Sequence, residues 1–458
     1  MVLAGLLWPL CASASAQQLA EPGALAAFQG GVPSGQATAD EIPLTLADAI
    51  SRGLRSNLGA ILGGTAVEAA QGARRETLAD LLPQLGLSAT ESRQKINLAA
   101  YGFSLPGFPQ LVGPFDVFDA RAHVQQSVFD LHAIHRAHAA RDAVDAARQD
   151  ELGARDLVVL ACGQLYLQAL AGEARIESAR AQLATAEALL GTARDRRASG
   201  LGAGIEALRA EVQAQTLRQR LIVAEQDAAK QKLALARAVG LPLGQRFRLA
   251  DPMPLAPAVP ISVDEAVSQA WAGRPDLKAA QARVDAAQEA WKAARGEALP
   301  SLAVMGDYGA IGPTVSGALG TFTLAASLRV PVFEGGRAAA RASEAAARLR
   351  QERARLDDLR ARIYYEVQAV FLDLRAAEER VKVAESALGL ARQQLEQSRD
   401  RFAAGVADNL EVVQAQEALA AAEESRIASL YAHDAARFSL ARALGGAETS
   451  YQALVKGR

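Results

Sequence analysis

The chain has 458 residues and a mass of 48.0 kDa, half hydrophobic, 5% aromatic and 22% charged, which leaves room for two to four ordinary domains. Its 49 basic and 51 acidic residues give a formal charge of −2, with no electrostatic case for nucleic acid. Two cysteines, Cys11 and Cys162, exclude a disulfide scaffold or zinc cluster, and the wealth of alanine, arginine, glutamine and glutamate favours long helices over a compact sheet enzyme.

Met1–Ala16 reads MVLAGLLWPLCASASA, an apolar stretch closing on Ala14-Ser15-Ala16, as a signal peptide and its cleavage site do. The usual basic start is missing, because no lysine or arginine precedes Arg52; a start codon assigned too late would explain this, and an ordinary apolar terminus is the alternative. Lipidation of Cys11 stays open, although Leu10 stands where a small residue is the norm. Beyond residue 16 no apolar run approaches the roughly 18 residues of a spanning helix. Residues 17–41 are small, polar and dotted with Gly and Pro, the composition of a flexible lead-in.

From residue 42 the chain is written twice. Leu44-Thr-Leu-Ala-Asp-Ala-Ile-Ser51 returns as Ile261-Ser-Val-Asp-Glu-Ala-Val-Ser268, and Leu82-Pro-Gln-Leu85 as Leu299-Pro-Ser-Leu302, both 217 positions on. Leu165-Tyr-Leu167 and Val370-Phe-Leu372, Gly200 and Gly405, and Leu235-Ala-Arg-Ala-Val-Gly240 and Leu440-Ala-Arg-Ala-Leu-Gly445 all stand 205 apart. The first repeat spans 42–249 and the second 261–447, with a proline-rich joint at 250–260 between them and a tail at 448–458.

Each copy opens on a helix capped by Thr45 or Ser262, with Asp48 or Glu265 three positions on to close a capping box, more weakly in the aspartate copy. The helix is expected to run to Pro83 or Pro300. Two alternating segments follow, read as strands at about 84–98 and 117–129 in the first copy and about 301–311 and 321–333 in the second. In the last of these Phe322, Leu324, Ala326, Leu328 and Val330 share one face, while Thr321, Thr323, Ala325, Ser327 and Arg329 share the other. Half-polar strands of about ten residues suit a membrane barrel, and they suit a soluble half-buried sheet as well. Four strands cannot close a barrel, and an open edge cannot stand in lipid, so a membrane reading requires several chains to pool their strands.

Long helices complete each copy. Leu374, Ala377, Val381, Ala384, Leu388, Ala391 and Leu395 alternate steps of three and four, a heptad seam. Ile176, Ala179, Leu183, Ala186 and Leu190 repeat it in the first copy. From about Leu131 to Arg197 no proline interrupts the pattern, which at about 1.5 Å per residue is roughly 100 Å of helix.

The duplicated order of helix, two strands and long helices broken at Gly-centred tips resembles the TolC-like outer membrane channel family over about residues 42–447. The residues that carry it are Arg197-Ala-Ser-Gly-Leu-Gly-Ala-Gly-Ile-Glu-Ala-Leu208, Arg401-Phe-Ala-Ala-Gly-Val-Ala-Asp-Asn-Leu-Glu-Val-Val-Gln-Ala-Gln416, Pro331-Val-Phe-Glu-Gly-Gly336 and Arg274-Pro-Asp-Leu277. The first copy departs from the last of these, with Ser56-Asn-Leu-Gly59 in its place.

The resemblance implies a mainly α fold with a small membrane β-barrel part: a homotrimer whose twelve strands form one barrel in outer membrane lipid, continued by an α-helical periplasmic barrel. It implies a passive exit duct in tripartite efflux or type I secretion, fed by a periplasmic adaptor (membrane fusion) protein and an inner-membrane efflux pump or ABC exporter. Gly200, Leu201, Gly405 and Val406 would be the adaptor-contact tips. Glu411 and Gln414, with Glu206 and Arg209 from the first copy, would line the periplasmic aperture, three copies of Glu411 making a cation-favouring ring.

His132, His135 and His138 cluster near His123. The i, i+3 spacing would let His132 and His135 share a metal, yet no cysteine or methionine ligand accompanies them, and no metal or cofactor is assigned. Enzyme motifs are absent: there is no G-x-S-x-G, H-E-x-x-H, P-loop or dinucleotide fingerprint. The rival reading is a soluble periplasmic coiled-coil scaffold or adaptor without a barrel.

Overall fold

The computed structural model describes residues 28–102, 107, 109–200, 203–252 and 261–449. The proposed leader with Cys11, most of the proline-rich joint, Leu201 and nearly all of the tail lie outside the described residues. The chain divides into two compact units, one of residues 1–63, 151–275 and 361–458, the other of 64–150 and 276–360.

In the first unit, strand β1 (Ile42–Leu44) pairs in parallel with β4 (Phe247–Leu249), and helix α1 (Leu46–Ser56) follows. Its N-cap Thr45 accepts from the Asp48 amide at 3.1 Å. The Asp48 carboxylate takes the Thr45 hydroxyl at 2.7 Å. In the second copy, α5 (Val263–Gly273) has the complete box, because the longer Glu265 side chain reaches the Ser262 amide. That contact, with the Ser262 hydroxyl, holds the Glu265 carboxyl below its ordinary value.

The helix expected to run unbroken to Pro83 or Pro300 is two helices in each copy. α1 gives way at Asn57 to α2 (Leu58–Ala79), and α5 gives way at Arg274 to α6 (Pro275–Gly296). Proline after Arg274 excludes the helical backbone there. Asn57 makes the same break without proline: its side-chain amide donates to the Phe28 carbonyl at 2.6 Å and the Ala238 carbonyl at 3.2 Å, while its oxygen accepts from the Gly59 amide at 2.9 Å. Arg274 is as buried as Asn57 and pairs with Glu366 at 2.7 Å; Arg442 binds the same carboxylate.

The lead-in read as flexible is anchored from residue 28. Phe28 is buried, the Val32 amide donates to the Ser56 carbonyl at 2.8 Å and the Ser34 amide to the Gly240 carbonyl at 3.2 Å. Its backbone bonds come from helix ends, which no composition reveals.

The long helices are α3 (Leu131–Ala198), α4 (Gly204–Ala238), α7 (Arg337–Ala403) and α8 (Asn409–Leu444). One stretch of α3 has the length and apolarity of a membrane span, contrary to the sequence reading, but 78% of it is buried within the protein. There Val158, Val159, Cys162, Tyr166 and Leu167 form a core with Leu44, Ile50, Leu235 and Phe438. The Tyr166 hydroxyl closes this core, donating toward the Leu44 carbonyl (2.9 Å) and Asp251 (3.0 Å). All seven seam residues of α7 are buried.

The second unit holds a four-stranded antiparallel sheet in the order β2 (Gln84–Asn97), β3 (Leu111–Phe129), β5 (Ser301–Gly312), β6 (Leu319–Arg329). β3 begins six residues earlier than its alternation suggested, its first part pairing with the far end of β2 through a bulge after Gln94. β6 stops at Arg329 rather than 333, since Pro331 has no amide to give a ladder and Gly335 and Gly336 turn the chain at positive φ.

Candidate functional site

Two surfaces can interact with solute or partners. The first is the sheet. Its register stacks Leu85, Val124, Gly306 and Leu324 across the four strands, and beside them Leu87, Ala122, Tyr308 and Phe322. Most of this apolar row is open: Leu85, Leu87, Tyr308, Phe322 and Leu324 are 71% to 88% exposed. On the opposite face the rows run Ser88, Arg121, Gly309, Thr321 and Gly86, His123, Asp307, Thr323.

Arg121 organises the polar face. Its guanidinium lies 2.7 Å from Asp119 and 2.7 Å from Asp307, so one cation is shared by two carboxylates. Gly309 makes the room, because a Cβ there would stand 2.3 Å from the Arg121 Cβ. His123 bonds the Ser88 hydroxyl at 2.7 Å. Among the described residues, β2 and β6 are the two ends of the sheet and pair on one side only.

The second surface is the pair of helix tips in the first unit. Gly200 and Gly405 both sit at φ 75, the left-handed region that a Cβ disfavours. The Gly405 amide donates to the Phe402 carbonyl at 3.1 Å and the Val406 amide to the Arg401 carbonyl at 3.0 Å, which closes α7 as a Schellman turn. Val406 is 69% exposed.

Behind the turns Leu189, Ala193, Ala207, Ala210, Phe402 and Val412 pack together. The Arg196 guanidinium lies 4.9 Å above the Phe402 ring. Asn409 is fully buried, and its amide donates to the Glu206 carbonyl at 2.7 Å.

The aperture candidates fall as follows. Glu411 is not a free acid, since Arg401 lies 3.3 Å from it. Gln414 is exposed one turn further on. Glu206 is half-buried and meets the second tip through its backbone, and Arg209 lies 3.9 Å from Asp408. Sequence reasoning missed Arg401, Asp408 and Asn409. Asp408 had a legible signal, an acidic residue before an apolar-periodic run, and it caps α8 by accepting from the Leu410 amide at 3.0 Å. One layer deeper, Glu417 accepts from Gln213 (2.7 Å) and Arg220 (3.0 Å). Burial works to raise its carboxyl, but these two donors outweigh it and hold the group below its ordinary value.

The histidines do not pair as their spacing suggested. His132 turns to the Ala293 carbonyl at 3.0 Å, whereas His135 and His138 both face Glu289.

The sequence model of the outer membrane efflux protein family matches residues 65–241 and 266–446, one match in each copy of the repeat. The pyoverdine export outer membrane protein OpmQ of Pseudomonas putida is 26% identical over 271 residues, a stretch that covers 57% of this chain and 56% of that protein. The fold is similar to that of a membrane protein from Pseudomonas aeruginosa (TM-score 0.77, 20% identity, covering 91% of this chain and 95% of that one). It is also similar to the outer membrane protein VceC of Vibrio cholerae (TM-score 0.76, 21% identity, covering 88% and 96%).

Proposed function

The chain belongs to the outer membrane efflux protein family, and from that premise we propose that it is the outer-membrane exit duct of a tripartite efflux system. The observation that carries the proposal is the four-stranded sheet, apolar and open on one face, charged on the other, and, among the described residues, paired on one side only at β2 and β6. Unpaired strand edges are untenable in hydrocarbon, so three copies pool their strands into one closed barrel with the apolar face to lipid and Arg121, Asp119 and Asp307 toward water. A soluble scaffold would leave that apolar face without a partner.

The duct is passive. The family is non-enzymatic, and the driving energy belongs to an inner-membrane pump reached through a periplasmic adaptor. Gly200 and Leu201, with Gly405 and the exposed Val406, are the adaptor contacts. Glu411, Gln414, Glu206 and Arg209 border the periplasmic aperture, where the pairs Arg401–Glu411 and Arg209–Asp408 offset part of the acidic charge. The relative named for pyoverdine export favours a small-molecule cargo over a secreted polypeptide.

Planar-bilayer conductance of the detergent-purified protein tests this reading, with Glu411→Ala and Arg209→Ala alongside. Ion-conducting steps are expected, with a cation preference that falls in Glu411→Ala. Steps unchanged in both variants keep the duct and remove the aperture assignment. A protein that stays out of membranes and conducts nothing overturns the duct.

A further inference from the structure

Away from both surfaces, three metal-ligating side chains converge where α3 and α6 meet. His135 and His138 are three residues apart on α3 and so share a face; their ring centroids are 6.0 Å apart and the rings stand at 84°. Glu289 reaches them from α6, its Oε2 2.7 Å from His135 Nδ1 and 3.7 Å from His138 Nδ1. One ligand atom from each of the three lies within 4.8 Å of the others. Lys292 holds the other carboxylate oxygen, with Nζ 2.6 Å from Oε1, and so keeps Oε2 turned toward the imidazoles.

The backbones beneath the cluster are fixed. A Cβ on Gly296 would lie 2.8 Å from the His132 amide nitrogen, so the end of α6 and the start of α3 are in close contact, and the His132–Ala293 bond ties the same two turns. Glu289 is 16% exposed and His138 55%, which leaves the cluster anchored on one side and open to solvent on the other.

We propose that His135, His138 and Glu289 bind a borderline divalent transition-metal ion of the zinc type, bridging α3 and α6. Two imidazoles and one carboxylate are a donor set such ions favour, and three protein ligands leave a fourth position for water. At metal–ligand distances of about 2.0–2.2 Å, tetrahedral ligand atoms stand roughly 3.4 Å apart, so small rotamer changes close the present spacing around an ion. The ion displaces the His135–Glu289 hydrogen bond, and each coordinating imidazole is neutral, with its remaining proton on Nε2. Lys292 acts as a positioning residue on the carboxylate. Along the chain His135 follows the end of β3 at Phe129 by six residues and Glu289 precedes the start of β5 at Ser301 by twelve, so the bridge joins the two helices that carry these strands.

The test is zinc titration of the full chain, purified in detergent without a histidine tag, stripped with EDTA and read by competition with a chromogenic chelator. The expected result is one saturable zinc per chain and a higher thermal midpoint when zinc is bound. His138→Ala and Glu289→Gln should each weaken binding by about tenfold or more, while His123→Ala binds as the wild type does. His138 is half-exposed, so its replacement leaves the fold intact, and an unchanged metal-free melting curve verifies that. No saturable zinc in the wild type, or undiminished zinc in His138→Ala, overturns the site.

Discussion

Asn57 and Arg274 stand at equivalent positions of the two copies and mark the same helix break by different means, one through its side-chain hydrogen bonds and the other through the proline that follows it. Asn57 is completely buried and satisfies two carbonyls and an amide. Asn57→Ala leaves those groups desolvated and unpaired, at about 1–3 kcal/mol for each orphaned group; a clear fall in the thermal midpoint of the detergent-solubilised protein is the measurement. Cys162 offers a pH test in the same core. Burial pushes its thiol from an ordinary 9.0 up to about 12, so the folded chain keeps a proton that the unfolded chain releases above about pH 9. Stability from this group is therefore constant below pH 9 and declines from there toward pH 12, at up to about 1.4 kcal/mol per pH unit. Melting curves between pH 8 and 10.5 should fall more steeply in the wild type than in Cys162→Ala. Tyr166 is raised in the same direction by burial and leaves a residual slope in both.

At the scale of elements, the α7 seam was legible because its period is what burial requires: Leu374 through Leu395, each 7% exposed or less, follow the three-and-four spacing that brings one stripe inward. Leu388→Ala should cost about 2–5 kcal/mol as a core truncation. Leu390, two positions on and 65% exposed, should change stability by about 0.5 kcal/mol or less when replaced by alanine, and equal losses in the two would refute the seam. The first copy is less regular: Ala179 and Ala186 are buried, while Ile176, Leu183 and Leu190 are half-buried. Elements whose partners lie far along the chain were not legible. The break at Asn57 depends on Phe28 and Ala238, the lead-in on Ser56 and Gly240, and the tip contact of Asn409 on the Glu206 backbone. None of these residues carries a local signal of its partner. The register of β3 was legible only where both faces alternate, and its first residues pair without that pattern.

For the whole molecule, the duct reading depends on which face of the sheet meets lipid, and adjacent residues of β6 separate the two answers. Leu324 stands in the apolar row with Leu85 and Val124, and Thr323 in the polar row with His123 and Asp307. Both are exposed in the single chain, so burial within one copy protects neither, and a substitution reports on the environment that assembly creates. An arginine on the lipid side costs about 2–4 kcal/mol near the bilayer midplane, and a trimer would incur that cost three times. Leu324→Arg is therefore expected to deplete the protein from outer-membrane fractions and to abolish its heat-sensitive oligomer band on gels. Thr323→Arg should reach the membrane in wild-type amounts and shift ion selectivity toward anions, because it places a second cation beside Asp307, whose carboxylate already shares Arg121 with Asp119. The reverse outcome, with Thr323→Arg excluded and Leu324→Arg inserted, would mean that the charged face is the one packed away. Equal tolerance of both would mean that neither face meets lipid, and the open edges of β2 and β6 would then need a soluble partner in place of a barrel.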